Sequence, residues 1–86
     1  MDEIQQLRKR VDEIDEQIIA ALRERAKTCS AIGFIKKKKD LPIRDVAREN
    51  EVFKRMNEKA LEFHLNPLQV KAVYREIVNM CSDIQE

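Results

Sequence analysis

Apolar residues recur at Ile4, Leu7, Val11, Ile14, Ile18 and Leu22, and the line continues through Cys29 and Ile32. Steps of three and four residues sustained over this distance predict one amphipathic helix from near residue 3 to about residue 37. Asp2 can cap its start, and Gly33 inside it costs only about 1 kcal/mol. Pro42, in "DLPIRD", pushes Leu41 out of helical geometry and closes the run. A second helix is expected after Asp45, a good N-cap, with Glu49, Phe53, Met56, Ala60 and Phe63 on one face. A third follows "HLNPLQV": Asn66 is the N-cap, Pro67 fits the first helical position, and Gln69 is placed for a capping box. Leu65 and Val70 are placed for a hydrophobic staple across that cap. Val70, Tyr74, Ile77, Cys81 and Ile84 form the stripe of this last helix. With no repeat and no low-complexity linker, the pattern reads as one all-α domain spanning residues 1–86, made of one long N-terminal helix and two shorter ones.

The long helix is out of proportion to the chain. Some 34 residues at 1.5 Å each reach about 50 Å, whereas a compact globule of this size has a radius of gyration near 12 Å. Its apolar stripe extends beyond what two shorter helices can cover. A second copy of the chain is the simplest cover, so the sequence predicts an intertwined homodimer.

Composition narrows the function. The 86 residues include one Gly, two Pro, no Trp and 38% charged residues, which favours helix over sheet. Lys and Arg number 17 against 16 for Asp and Glu. That balance argues against a protein devoted to a phosphate backbone, although local clusters can still bind anions. No apolar run approaches the roughly 20 residues needed to span a bilayer, and "MDEIQQLRKR" lacks a signal-peptide core. A cytoplasmic protein binding neither membrane nor nucleic acid is expected. Cys29 and Cys81 lack metal-like or redox-motif spacing, and with a single His a zinc site is not expected. In the cytoplasm they read as reduced, small and mostly apolar.

The chemistry lies where polar residues interrupt the apolar lines. Between Leu22 and Cys29 the inward position is held by Arg25, and beyond Ile32 it is held by Lys36. These two are eleven residues apart, so they project in nearly the same direction about 16 Å from each other. Of the four consecutive lysines, Lys36 to Lys39, only Lys36 falls on this line; the others point to solvent. Asp45, Arg48 and Glu49 share a face at the start of the second helix, with Glu49 in register with Phe53 and Met56. Gln85 follows Ile77 and Cys81 at successive four-residue steps. Cations inside a helical core need an anion to pair with. Each residue also has an ordinary reading: a snorkelling Arg25, an N-cap at Asp45, a surface pair of Arg48 and Glu49, a frayed Gln85. Together they converge on a small helical dimer with an anion pocket, and periodicity carries the reading no further.

At these positions the chain resembles the all-helical chorismate mutases. The stretches that carry the likeness are "LRKRVDEIDEQIIAALRERAKTCSAIGFIK", then "PIRDVARE", then the final "CSDIQ", covering about Ile4 to Gln85. The resemblance implies an enzyme that rearranges chorismate to prephenate, on the route to phenylalanine and tyrosine. It assigns Arg25 to a substrate carboxylate and Arg8 to the same task from the other subunit. Lys36 and Gln85 become donors to the ether oxygen of the breaking C–O bond. Glu49 and Asp45 lie around the substrate hydroxyl, with Arg48 in support. One position departs: the family often has Ser where this chain has Cys81, and a thiol is a weaker donor to a carboxylate.

Two points of physics agree with this assignment. Arg8 lies 17 residues from Arg25, about 25 Å away and turned by roughly 100°, so one chain cannot bring both to a small molecule. A unimolecular rearrangement also calls for no nucleophile, metal or redox cofactor, and the chain offers no motif for one. Isochorismate-pyruvate lyase, built on the same scaffold, is an alternative. So is a non-enzymatic helical module for dimerisation or nucleic-acid binding through "KKKK".

Overall fold

A computed structural model of the protein describes residues 2–86. It contains three α-helices: α1 (Glu3–Lys38), α2 (Val46–Glu62) and α3 (Pro67–Gln85), with no strand among the described residues. Each begins at a side-chain cap. Asp2 accepts from the Gln5 amide at 2.7 Å, Asp45 from the Arg48 amide at 3.0 Å, and Asn66 from the Leu68 amide at 2.9 Å. The capping box expected at Asn66 therefore does not form. The short Asn side chain takes the nearer Leu68 amide, Pro67 has no N–H to compete, and Gln69 stays exposed. Leu65 also stays exposed and contributes little to a staple.

Helices α1 and α2 stop in the same way. Asp40 and His64 adopt left-handed φ values of 55° and 58°. The following amides fold back, Leu41 onto the Lys36 carbonyl at 2.9 Å and Leu65 onto the Ala60 carbonyl at 2.8 Å. This satisfies carbonyls that a helix end otherwise leaves open. The stop after α1 is thus complete two residues before Pro42.

The molecule measures 56 × 24 × 15 Å with a radius of gyration of 16.2 Å, well above the roughly 12 Å of a compact chain of this length. The excess comes from α1, every residue of which from Glu3 to Ala21 is exposed, Leu7 at 67%. Helix α3 packs against both α1 and α2, whereas the backbones of α1 and α2 stay apart. The buried apolar residues are accordingly few: Cys29 from α1, Val52 and Ala60 from α2, and Val78 from α3. Lying between two helices, α3 buries a broader face than its apolar stripe announces. Its deepest line is Val78, Ser82 and Gln85, while Tyr74, Ile77 and Cys81 beside it are half-buried.

The cysteines are not reduced. Cys29 and Cys81 form a disulfide between α1 and α3, and no cysteine is free. They are 52 positions apart, and no local motif marks them. Parallel packing of α1 and α3 brings their Cα atoms to 5.4 Å, within the roughly 4.4–6.8 Å that permits the bond. Sequence spacing carries no information about an approach made by packing.

Candidate active site

The concave side of the three-helix unit encloses a cavity of about 350 Å³, walled by the C-terminal half of α1, the first turns of α2 and the last turns of α3. Arg25, Lys36 and Arg48 line it together with Asp45 and Glu49, leaving one positive charge in excess. Apolar Ile32, Ile43, Val52 and Val78 form the dry part of the lining. A few placed polar groups in an otherwise apolar hollow are what a small-ligand site requires.

The deepest polar contact joins α1 to α3. The Lys36 ammonium donates to Gln85 Oε1 at 2.8 Å and to the Ile43 carbonyl at 2.5 Å. Gln85 is only 6% exposed, so it is not a frayed end. The Gln85 amide nitrogen donates in turn to Cys81 Sγ at 3.1 Å. Gly33 makes this meeting possible. A Cβ there would lie 2.9 Å from Gln85 Cγ and 3.0 Å from its Cα, closer than carbon atoms pack. The other lysines of the run stay exposed, and Lys38 rests its ammonium 4.8 Å from the Phe34 ring centroid.

Glu49 is half-buried, and its partner is one that sequence periodicity missed. Arg44, in the loop before α2, donates to both Glu49 oxygens, at 3.1 and 3.5 Å, and through its other nitrogen to Asn79 of α3 at 3.2 Å. The two residues are five apart across a helix start, a spacing outside any helical register. Arg48 instead reaches outward to Glu51 at 3.7 Å. Asp45 spends one oxygen on its capping bond and still borders the cavity. Arg25 is half-buried and donates to the Ile77 carbonyl at 3.5 Å, pairing with neither Glu24 nor Asp15.

Seven of the eight residues singled out from the sequence thus converge on one cavity: Arg25, Lys36, Asp45, Arg48, Glu49, Cys81 and Gln85. Arg8 does not; it sits on the exposed half of α1. A family model described as chorismate mutase type II matches residues 7–86. The chain belongs to that family. A bifunctional chorismate mutase/prephenate dehydratase from Aquifex aeolicus (strain VF5) is 38% identical over 89 residues, an alignment covering 100% of this chain and 25% of the relative. The chain therefore spans about a quarter of that relative's length. A solved structure of a conserved hypothetical protein from Pyrococcus furiosus matches with a TM-score of 0.81 at 37% identity, covering 100% of this chain and 99% of that one. The type II family match takes in α2, α3 and all but the first turn of α1. Cys81 lines the cavity as a half-cystine, so its sulfur has no S–H to offer a carboxylate.

Proposed function

We propose that the chain catalyses the rearrangement of chorismate to prephenate in the described cavity, and that it does so as a homodimer. The reaction is an intramolecular Claisen rearrangement. The ether C–O bond breaks while a C–C bond forms, the oxygen becomes a ketone, and no atom enters or leaves. The protein has to hold a flexible dianion folded for reaction and stabilise negative charge growing on the ether oxygen. The observation that carries the reading is the Lys36–Gln85 pair, an ammonium and an amide held 2.8 Å apart in a half-apolar wall. Both can donate to one oxygen placed before them. Arg25 suits a carboxylate, and Glu49, braced by Arg44, suits the substrate hydroxyl, with Asp45 near it and Arg48 supporting.

One positive charge in excess is too little for a dianion, and the exposed half of α1 supplies the remainder. Ile4, Leu7, Val11, Ile14 and Ile18 are left uncovered in one copy. A second copy laid along them buries that stripe, each contact removing apolar area from water. It also carries its own Arg8 towards this cavity. Helix α1 and its apolar line then have a single purpose along their whole length.

No helix among the described residues is long and apolar enough to cross a membrane, and a cytoplasmic site of action accords with a small soluble substrate. The deciding experiment offers purified protein chorismate and isochorismate in parallel, following prephenate formation and pyruvate release. Prephenate from chorismate at enzymatic rates is expected. Pyruvate release from isochorismate alone would move the reading to the lyase, and inactivity on both would reject it.

A further inference from the structure

The geometry points to the Cys29–Cys81 disulfide as a positioning element of the site, one that fixes the orientation of the Gln85 amide and so makes turnover depend on the thiol–disulfide state of the chain. This rests on the function proposed above.

Three observations meet at the bond. It is part of the cavity wall, since both sulfurs belong to lining residues. It touches two other polar groups of that wall: Cys81 Sγ accepts from the Gln85 amide nitrogen at 3.1 Å, and Cys29 Sγ accepts from Arg25 Nη1 at 3.8 Å. It also joins the helix that carries Arg25 and Lys36 to the helix that carries Gln85.

The chemistry of the sulfur sets the direction of the effect. A disulfide sulfur can only accept a hydrogen bond, whereas a thiol can also donate one. In the bonded form the Gln85 amide therefore has one consistent arrangement, its oxygen on Lys36 and one N–H on Cys81, which leaves the second N–H for a ligand oxygen. A thiol at Cys81 could donate to the amide oxygen instead. That admits a flipped amide whose N–H groups turn towards the Lys36 ammonium and away from productive alignment. The bond lies one helical turn before Gln85 and ties that part of α3 to α1. Oxidation removes two protons and two electrons from the paired thiols, and a small-molecule disulfide accepts them, becoming two thiols. A dithiol reverses the exchange.

The test compares the protein treated with oxidised glutathione and with dithiothreitol, the state of the pair confirmed by intact mass and thiol titration. On chorismate, reduction should lower kcat by about tenfold, the scale expected when one positioned donor is loosened rather than removed. Cys29→Ala/Cys81→Ala, which removes the bond without adding a donor, should be as slow as the reduced protein and ignore dithiothreitol. Gln85→Ala separates positioning from general support. Its residual kcat should be the same in both states, because the bond acts through Gln85; a tenfold fall there too would mean that the bond merely holds the helices. A wild-type kcat equal or higher after reduction overturns the proposal. Should chorismate not be a substrate at all, the Gln85 side-chain amide in ¹⁵N–¹H spectra provides an independent readout. A large shift and faster proton exchange on reduction uphold the positioning role, and an unmoved resonance rejects it.

Discussion

The two halves of α1 follow the same apolar period and meet opposite fates. In the C-terminal half the line Leu22, Arg25, Cys29, Gly33 and Lys36 is buried or half-buried, and its two cations reach the cavity. From Ile4 to Ile18 the same period lies open, Leu7 at 67% exposure, and Arg8 points at nothing within its own chain. Periodicity states that a face is to be buried; it does not state by what. The C-terminal half is met by α3 of the same chain; for the N-terminal half the proposed second copy is the cover.

The largest effect should come from breaking the covered half. Lys36→Ala removes a donor to developing charge, and turnover should fall by about 10²–10³-fold. Lys37→Ala, Lys38→Ala and Lys39→Ala should change it little, since those side chains are exposed. Equal losses at all four in a steady-state assay would replace a site with a diffuse basic patch.

The open half is tested by complementation. Arg8→Ala and Lys36→Ala homodimers should each be nearly inactive. Mixed and allowed to exchange, half of the dimers carry one intact site, so about a quarter of wild-type activity should return. No recovery under conditions where exchange is verified would place Arg8 outside the site.

A smaller and pH-dependent effect is expected at the α3 side of the covered half. Gln85→Glu turns a donor into an acceptor while ionised, so the variant should be weak at neutral pH. It should regain kcat as pH falls towards the usual carboxyl range near about 4.3, where the protonated acid donates again. Gln85→Ala should show no such recovery. Identical pH–rate profiles for Gln85→Glu and wild type would remove Gln85 from the chemistry.

The subtlest test uses Gly33→Ala. Helix propensity favours Ala by about 1 kcal/mol, while the clash with Gln85 costs about 1–3 kcal/mol, so thermal stability should change little in either direction. Activity should nonetheless drop several-fold, because α3 must yield a few tenths of an ångström at the residue that pairs with Lys36. Unchanged activity would show that the contact has slack.

Much of this was legible in the sequence because helices write themselves in local terms. The caps at Asp2, Asp45 and Asn66 follow from residues within a few positions of each other. Lys36 stood out for the same reason, as a charge on an apolar line. What was illegible depends on distances that only packing creates. The Cys29–Cys81 bond joins residues 52 apart. Arg44 reaches Glu49 around a helix start and Asn79 across to α3. The burial of Ser82 follows from α3 lying between two helices, which its own stripe does not reveal. At Asn66 the nearer of two amides won, and the capping box gave way to it.

Because the backbones of α1 and α2 stay apart while α3 packs on both, α3 is the spacer that sets the gap between the wall bearing Arg25 and Lys36 and the wall bearing Asp45 and Glu49. Val78 and Ser82 both stand in that gap and both border the cavity. Their volumes therefore act as shims: the calibre of the hollow can be altered from α3 alone, without touching a charged group on either wall. Trimming or enlarging these two side chains offers a route to retuning the size of ligand the cavity admits while its polar groups stay as they are.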